Sequence, residues 1–383
     1  MGSGRNHTIE SGHRPTWAEI DLGALAANFG VVRRHVGPTI KVMAVVKADA
    51  YGHGAVACAR RLEREGADWF GVASPEEGIE LRHAGITRQI LCLGGFWPGQ
   101  ERACLKYKLT PVVYRTDALE SLDRAARETG IVAEAHVKID SGMGRLGIQH
   151  CGVREFCAAL QPLKNLRVDG LMTHLAAADH PELNDFTGTQ QDAFEQAVEV
   201  FRECGIRPTY FHLANSAATF GHPRAWGNMV RAGGVLYGLW RDVLPPQIDA
   251  PPLRPVMSLR SRIMLLKRLP AGHKLGYGCT FETARETLVA TLPIGYHDGY
   301  PRALSNRGRV VIRRRFAPVI GRVSMDLTLV DVTDVPDVSI DDQVTLLGRD
   351  GDLLVPAEEI GQLSGTISYE VTCGVSVPHT YKD

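Results

Sequence analysis

The sequence predicts an α/β fold in which a (β/α)8 TIM-like barrel is followed by a mainly antiparallel β domain. Between residues 40 and 238, eight short runs rich in β-branched residues alternate with segments of helical pattern. Eight such repeats in about 200 residues are what a closed parallel barrel requires. After residue 238 the helical pattern stops, and short alternating runs broken by Gly, Pro and Asp replace it. An open doubly wound sheet is the competing topology for the first half.

The predicted barrel strands are residues 40–48, 69–74, 89–94, 109–114, 132–140, 166–174, 210–215 and 229–238. Between the second and third strands, Ser74 and Glu77 have the spacing of a helix capping box, with Pro75 at the first helical position. Glycines expected to end helices stand at Gly66, Gly85 and Gly130. These signals place helices between the strands, as the barrel requires.

The domain boundaries follow from the change in composition. The predicted barrel spans residues 14–241, and the predicted β domain spans residues 256–383. Residues 242–255, DVLPPQIDAPPLRP, are rich in proline and are predicted to be a linker. Beyond the linker, stretches such as GRVVIRRRFAPVIGRVSMDLTLVDV are typical of antiparallel strands.

Composition excludes several classes of protein. Lys plus Arg number 43 and Asp plus Glu number 43, so the chain lacks the cationic surplus of a general nucleic-acid binder. No run approaches the roughly 20 apolar residues of a membrane span, and the first sixteen residues lack the apolar core of a secretory signal. Eight scattered cysteines without a CxxC pair predict reduced thiols rather than disulfides or a zinc site. We therefore expect a cytoplasmic protein with no metal and with no nucleic-acid or membrane partner.

In a parallel barrel the active site lies at the carboxyl ends of the strands. The polar residues predicted to reach that end are Lys47, Lys138, Arg145, His174, Ser216 and Arg231. Each cation alone is more often a surface residue with a buried aliphatic stem. Together they predict a cationic mouth that binds a ligand carrying phosphate and carboxylate groups.

Lys47 follows the apolar run MAVV, where desolvation lowers the pKa of an ammonium group and frees the amine as a nucleophile. Such a lysine is suited to form an imine with an aldehyde cofactor. The segments Asn215-Ser216 and Gly233-Gly234 follow the last two predicted strands, where barrels commonly bind phosphate through backbone N–H groups. A reactive lysine beside a phosphate site predicts pyridoxal 5'-phosphate as the cofactor.

Motifs along nearly the whole chain resemble those of the bacterial, pyridoxal-phosphate-dependent alanine racemases. AVVKADAYGHG resembles the family's cofactor-lysine motif. The others, in order, are TWAEIDLGALAANF, KIDSGMGRLG, MTHLAAAD, HLANSAAT, GYG, PIGYHDGY, GRVSMD and GTISYEVTCGVSVPHTY. The resemblance implies interconversion of L- and D-alanine by two bases, which supplies D-alanine for peptidoglycan. It also implies a homodimer with composite active sites.

The resemblance assigns the cofactor site position by position. Lys47 holds the cofactor and moves a proton. The phosphate is bound at Tyr51, Ser216, Gly233, Gly234 and Tyr369. Arg231 faces the pyridine nitrogen and, because a guanidinium keeps its protons, leaves that nitrogen unprotonated.

The resemblance also assigns the substrate end. Arg145 lies near the cofactor's phenolic oxygen and the substrate carboxylate, and Lys138 carries a carbamate in many members. A plain salt bridge between Lys138 and Asp140 is the alternative. Tyr277 is the second catalytic base, contributed by the partner subunit, and His174 orients it and links it to Arg231. The remaining positions are Met325 at the substrate end, Asp326 beside it and Tyr296 near the entrance.

Three departures from the family pattern stand near the phosphate site and at the tail. Ala232 replaces a proline, Gly234 replaces a bulkier residue, and Ser368 replaces an asparagine. The tail, VSVPHTY, lacks the customary arginines. These departures predict a looser phosphate loop and an altered dimer edge.

Three other functions remain open from the sequence. A racemase of serine or another small amino acid is hard to distinguish, because one methylene changes selectivity by only ~1–3 kcal/mol. A fold-related pyridoxal-phosphate decarboxylase would place a carboxylate, not Arg231, at the pyridine nitrogen. A non-enzymatic pyridoxal-phosphate carrier would end near residue 240, before Tyr277.

Overall fold

The computed structural model describes residues 14–249 and 251–383. Most of the amino-terminal segment predicted to lack a secretory signal therefore lies outside the described residues. Within the described ranges, no helix has the length and apolar character needed to cross a membrane.

Eight parallel strands form a nearly closed barrel, and each of the eight predicted strands is present. Their bounds are Lys41–Val45, Trp69–Val72, Gln89–Cys92, Thr110–Val113, Ala133–Asp140, Leu166–Met172, Tyr210–His212 and Met229–Ala232. The first seven strands pair in parallel with their neighbours along the chain, and the eighth strand pairs with the first. The seventh and eighth strands are joined by single hydrogen bonds, such as that from Arg231 N to Ala214 O at 3.0 Å. The predicted (β/α)8 fold is confirmed, and the open-sheet alternative was wrong.

The α-helices of the barrel region are Leu22–Val36, Ala55–Arg64, Pro75–His83, Glu101–Lys106, Thr116–Thr129, Val153–Leu160, Asn184–Glu203 and Ser216–Gly221. Ala55–Arg64 illustrates how they pack, because it buries Ala55, Cys58, Ala59 and Leu62 at the spacing of one helix face. The three predicted terminating glycines all have positive φ and follow helix ends.

The helix Pro75–His83 begins at the predicted proline, but the predicted capping box is wrong. The Ser74 side chain makes no capping hydrogen bond. The Glu77 carboxylate accepts hydrogen bonds from Ala48 N and Ala73 N instead. Glu77 thus reaches back to the residue before Ser74 and also makes a tertiary contact with Ala48.

The lower barrel interior is apolar. Six strand side chains pack there as a separate buried cluster: Met43, Trp69, Leu91, Val112, Met172 and Met229. Polar side chains follow at the carboxyl ends of the strands, so the barrel mouth has an apolar floor.

The second domain is built on antiparallel pairing. Its largest sheet contains Arg315–Pro318, Arg309–Ile312, Gln343–Asp350, Met257–Arg262, Thr16–Asp21 and His379–Lys382, in that order, with Leu353–Val355 paired to Gln343–Asp350. A three-stranded sheet contains Leu265–Leu269, Thr287–Leu292 and Thr328–Asp331, and Lys274–Leu275 pairs with Phe281–Glu282. Two helices, Ala357–Ser364 and Ser368–Gly374, lie near the carboxyl end.

The strand Thr16–Asp21 departs from the boundary drawn from the sequence. It lies within the segment assigned to the barrel, residues 14–241, but it pairs antiparallel with Met257–Arg262 and parallel with His379–Lys382. The chain therefore starts in the sheet of the second domain and then enters the barrel.

Short elements complete the fold. They are the strand Ile148–Gln149 and the 3-10 helices His150–Gly152, Pro181–Leu183, Pro223–Trp226, Gly234–Tyr237, Tyr277–Cys279, Tyr296–Asp298 and Arg302–Leu304.

Candidate active site

A cavity of about 630 Å³ opens at the carboxyl ends of the barrel strands. Ten of the residues predicted from the sequence line it: Lys47, Tyr51, Lys138, Arg145, His174, Ser216, Arg231, Gly233, Gly234 and Tyr369. Tyr369 comes from the helix Ser368–Gly374 of the second domain, so both domains of one chain contribute. The remaining four predicted residues lie elsewhere.

A second cavity of about 660 Å³ lies between the helices Glu101–Lys106 and Thr116–Thr129. Four of its charged side chains are exposed and form two ion pairs, Arg102–Glu128 and Arg115–Asp117. Surface ion pairs of this kind contribute little and do not gather reactive groups. The barrel mouth is therefore the better candidate site.

Lys47 lies two residues after the end of the strand Lys41–Val45, and it lines the cavity at the mouth. Burial lowers the pKa of Lys47, and the positive charge of Arg145 lowers it further. Glu77 opposes both effects on the pKa of this lysine. The net downward shift enlarges the fraction of neutral amine relative to an exposed lysine, and the neutral amine is the nucleophilic form.

The backbone at Gly233 and Gly234 forms a cradle beneath two tyrosine hydroxyls. A Cβ at position 233 would lie 2.6 Å from Tyr51 Oη, and one at position 234 would lie 2.5 Å from Tyr369 Oη. Gly233 N donates to Ser216 Oγ at 3.0 Å. Only glycine leaves this space free, and three hydroxyls and backbone N–H groups surround it. The arrangement fits a phosphate group.

Both tyrosines are held as hydrogen-bond donors. Burial raises the pKa of Tyr51 and of Tyr369 well above the usual range. The phenols therefore keep their protons at neutral pH, and a phenolic O–H donates to an anion where a phenolate would repel it.

Ser368, one of the departures from the family pattern, is tied to the start of the linker. Its N–H donates to Asp242 Oδ2 and its hydroxyl donates to Asp242 Oδ1, both at 2.7 Å. These two bonds fix the residue beside Tyr369. Asp242 was missed in the sequence, where it belongs to a proline-rich stretch without periodicity.

Arg231 is almost fully buried and pairs with neutral groups alone in the described part of the chain. It donates to the carbonyls of Thr173, His212 and Leu213 at 2.7–3.0 Å. Burial lowers the pKa of Arg231 to about 10. The guanidinium therefore stays charged at neutral pH, without a carboxylate to neutralise it.

Arg231 also fixes the tautomers of three histidines. A guanidinium only donates, so the Nδ1 atoms of His174 (3.1 Å) and His212 (3.3 Å) must accept from it. The proton of each ring is then on Nε2. His212 Nε2 lies 2.9 Å from His136 Nδ1 and donates to it. His174 thus keeps an N–H available on the side away from Arg231.

His136 and His212 were missed in the sequence analysis. A signal was present for His136, which stands two residues before Lys138 on the same strand and so faces the same side. Burial lowers the pKa of His136 to about 3 and holds the pKa of His212 well below its usual range. Both rings are therefore neutral, and neither adds a positive charge beside Arg231.

Lys138 is only 4% exposed and lies among cations. Burial, followed by the charges of Arg231 and Arg145, lowers the pKa of Lys138 to about 8. Asp140 is occupied elsewhere, because it accepts from Gly142 N and Gly144 N at 3.1 and 3.0 Å. The charge of Asp140 raises the pKa of Lys138 but is the smallest of the effects on it, so a carboxylate near Lys138 only partly offsets its cationic neighbours.

The four other predicted residues lie on the surface of the second domain. Tyr277 is 73% exposed and Met325 is 54% exposed. Tyr277 borders a shallow cavity of about 370 Å³ with Arg322 and Ser324, separate from the barrel mouth. Asp326 lies 4.0 Å from Arg14, and Tyr296 is exposed. One chain does not bring these four residues to Lys47.

No cluster of three or more His, Cys, Asp or Glu side chains able to hold a metal ion occurs in residues 14–249 and 251–383. The donor set of the mouth is instead an amine, hydroxyls, backbone N–H groups and a guanidinium. This set suits an organic phosphate with an aldehyde.

Comparisons with known proteins agree with the motifs. Family models described as the N-terminal and C-terminal domains of alanine racemase match residues 20–240 and 256–381. An alanine racemase of Halothermothrix orenii is 43% identical over 374 residues, covering 97% of each chain. One of Symbiobacterium thermophilum is 44% identical, covering 97% of this chain and 98% of the relative.

Solved structures give the same result. An alanine racemase of Clostridium difficile 630 superposes with a TM-score of 0.90 at 37% identity, covering 97% of each chain. The alanine racemase of Streptomyces lavendulae superposes with a TM-score of 0.89 at 36% identity, covering 97% of this chain and 98% of that one. By both domain models, by full-length identity and by fold, the chain belongs to the alanine racemase family, whose members use pyridoxal 5'-phosphate.

Proposed function

We propose that the protein interconverts L-alanine and D-alanine with Lys47 and Tyr277 as the two bases. One observation carries the proposal: a single cavity joins a lysine whose pKa is lowered by burial, a phosphate-shaped cradle, and a buried arginine that has no carboxylate partner among the described residues. Membership of the alanine racemase family supports the reaction and the cofactor. When bound, pyridoxal 5'-phosphate withdraws negative charge from the substrate α-carbon, so that a base of moderate strength can remove the α-proton.

Within the mouth, each group has a defined task. Tyr51, Tyr369 and Ser216 bind the phosphate with Gly233 and Gly234, and Arg231 faces the pyridine nitrogen. Arg231 gives up no proton, so the cofactor's capacity to store charge is limited. With Arg231 at the pyridine nitrogen, the bound cofactor would stabilise less negative charge, which would favour return of the α-proton and therefore racemisation over transamination.

Arg145 binds the substrate carboxylate, and Lys138 supports Arg145. The neutral amine of Lys138 takes up carbon dioxide to give a carbamate and releases one proton. Its lowered pKa and its three cationic neighbours support this assignment, because the resulting anion replaces a repulsion with an attraction.

The second base comes from the partner subunit of a homodimer. The exposure of Tyr277 and its separation from Lys47 within one chain support this arrangement. In the dimer, the His174 N–H orients Tyr277, Met325 and Asp326 complete the substrate end, and Tyr296 borders the entrance. Eight cysteines without a disulfide among the described residues support a cytoplasmic location.

Reduction of the purified protein with borohydride, followed by peptide mapping, tests the central residue. The pyridoxyl label is expected on Lys47 and is expected to be absent from a Lys47→Ala variant. A label on Lys138 or Lys41 would contradict the proposal.

Two of the alternatives are answered by the residues of the site. A decarboxylase needs a carboxylate at the position of Arg231, and a cofactor carrier would match the N-terminal model without the C-terminal one. The side-chain preference is tested by assaying a panel of L-amino acids. Faster turnover of serine than of alanine would identify the protein as a serine racemase instead.

A further inference from the structure

The backbone that follows Lys47 is left-handed over four residues that are not glycine. Ala48, Asp49, Ala50 and Tyr51 have φ values of 52–55°, and Gly52 continues the turn at 82°. Left-handed helix is unfavourable for L-residues because Cβ approaches the following carbonyl oxygen. Such a run persists only where surrounding contacts determine it, and it commonly marks a functional segment.

The left-handed turn places two functional side chains in the same cavity. It begins at the amine-bearing Lys47 and ends at Tyr51, whose hydroxyl lies over the Gly233 cradle. The same five residues therefore deliver both the reactive lysine and a phosphate ligand to one cavity. Space around the turn is tight, since a Cβ at Gly52 would lie 2.2 Å from Thr372 O.

The carboxyl end of the turn is held by Asp49. Its carboxylate accepts from Ala55 N at 2.7 Å, and its carbonyl accepts from Gly54 N at 2.9 Å. These bonds are local, within six residues of the chain. They stabilise the exit into the helix Ala55–Arg64.

The start of the turn is held by Glu77, which is far along the chain. Glu77 Oε1 accepts from Ala48 N at 2.8 Å and Oε2 accepts from Ala73 N at 2.6 Å. Ala48 and Ala73 stand just beyond the carboxyl ends of the first and second barrel strands. The last backbone hydrogen bond between these two segments is from Val46 N to Gly71 O, so the Glu77 carboxylate continues their connection where the sheet stops.

We propose that Glu77 is a positioning residue for Lys47: its carboxylate holds the first left-handed residue and thereby sets the direction in which the lysine enters the cavity. The Glu77 carboxylate also acts electrostatically on the Lys47 amine against its cationic neighbours, and its effect is larger than that of Cys373. This inference rests on the proposed function of Lys47. Glu77 is not one of the cations at the strand ends, and the family motifs assign it no role.

The test compares Glu77→Ala, Glu77→Gln and the control Glu76→Ala, all as full-length holoenzymes. Glu76 is the adjacent residue on the same helix, and its carboxylate binds Gln100 rather than the turn. Glutamine keeps one acceptor oxygen, but its amino group faces a backbone N–H, so it replaces only half of the bidentate contact. Three readouts are followed: amide hydrogen exchange, visible circular dichroism of the Lys47-bound cofactor, and kcat and KM for both alanine enantiomers.

In Glu77→Ala, exchange at the Ala48 and Ala73 amides is expected to accelerate by about tenfold or more, while amides inside the strand Lys41–Val45 stay protected. The visible dichroism changes, because the cofactor is held at a different angle. We expect kcat to fall about 10–100-fold, since a displacement of the order of 1 Å has that effect, with a smaller change in KM. Glu77→Gln gives an intermediate result, and Glu76→Ala resembles the unsubstituted protein.

The outcomes separate this inference from the proposed function. A borohydride label away from Lys47 in the unsubstituted protein overturns the proposed function. A label on Lys47 in the glutamine variant, with unchanged dichroism and unchanged kcat per bound cofactor, overturns the role of Glu77. A fall in melting temperature alone, with kcat per bound cofactor preserved, also overturns it. If the alanine variant does not fold, the glutamine variant decides on the same readouts.

Discussion

The barrel mouth and the surface that carries Tyr277 differ in how completely one chain builds them. At the mouth, Arg231 is 4% exposed, and its guanidinium has five acceptor atoms of the same chain within hydrogen-bond distance. Tyr277, in contrast, is 73% exposed and lies on another face. One chain's own contacts organise the cofactor end of the reaction but leave the second base unsupported.

The two regions also differ in electrostatics. The mouth gathers several cationic groups, and burial lowers the pKa values of Lys47 and Lys138. Buried groups with shifted pKa values concentrate at functional sites. The side chains of Tyr277 and Met325 are instead exposed to solvent. An exposed tyrosine becomes a useful base only when another protein surface covers it and excludes water.

Mixing two inactive variants tests whether the two regions meet across a dimer. Lys47→Ala and Tyr277→Ala should each lack activity, but subunit exchange makes half of the dimers hybrids with one intact composite site. We therefore expect about a quarter of wild-type activity to return. The activity is measured after exchange has been confirmed by native mass spectrometry of subunits of different mass.

A reciprocal mixture serves as the control. When wild-type protein exchanges with a Lys47→Ala/Tyr277→Ala double variant, every hybrid site is incomplete, so about half of the input activity should disappear. If both bases belonged to one chain, the first mixture would restore nothing and the second would lose nothing.

Tyr277→Phe examines which face of the substrate the exposed tyrosine serves. Loss of a positioned general base costs about 10²–10⁴-fold, and the resemblance places this base on the L face. Exchange of the α-proton from L-alanine, followed in deuterated water by NMR, should fall more than exchange from D-alanine. Tyr296→Phe, also exposed, should leave the ratio unchanged. Equal losses for the two enantiomers would remove the assignment of faces.

Ser216→Ala and Tyr369→Phe examine the cradle of the mouth. A hydrogen bond to a charged group contributes about 1.5–3 kcal/mol, so each variant should bind the cofactor roughly tenfold or more weakly. Affinity is measured by equilibrium dialysis, and the dimer by sedimentation. Ser121→Ala, in the cavity between the two helices, is the matched control. Unchanged retention in both variants would place the phosphate elsewhere.

The sequence was sufficient to predict the barrel, because the barrel strands are buried on both faces and several of its helices end at glycines. It was insufficient for Thr16–Asp21, whose partner Met257–Arg262 lies more than 200 residues away. A pairing over that separation leaves no local pattern. The capping box failed for a related reason, since Glu77 serves the Ala48 and Ala73 amides rather than its own helix.

The sequence predicted those residues of the candidate site that stand at strand ends or in family motifs. Lys138 and Arg231 lie near the carboxyl ends of barrel strands and Lys47 lies just beyond one, and the structure places all three in one cavity. His136 and His212 lie deeper in the barrel; the position of His136 two residues before Lys138 indicated which way it faces, but nothing in the sequence marked His212. Their role follows only from hydrogen-bond direction, which requires knowing that Arg231 donates to both His212 and His174.

These deeper histidines give the smallest predicted effect, a change in the dependence of stability on pH. The pKa of His136 is about 3 in the folded protein, below the ordinary value of 6.5. The unfolded chain therefore binds more protons as the pH falls from about 6.5, and the free energy of unfolding decreases through that window. Above it, the full stability is present. His136→Asn keeps an acceptor near the position of Nδ1 but cannot be protonated there.

The urea midpoint, measured between pH 7.5 and 5, should therefore fall less steeply in His136→Asn than in the unsubstituted protein. Removal of one buried histidine reduces the slope by at most about 1.4 kcal/mol per pH unit. His180→Asn is the control, because Glu182 raises the pKa of that exposed ring and reverses the sign. Its removal should leave the slope equal or slightly steeper. A slope in His136→Asn as steep as that of the unsubstituted protein would mean that His136 is already protonated in the folded chain, and the tautomers inferred from Arg231 would then be wrong.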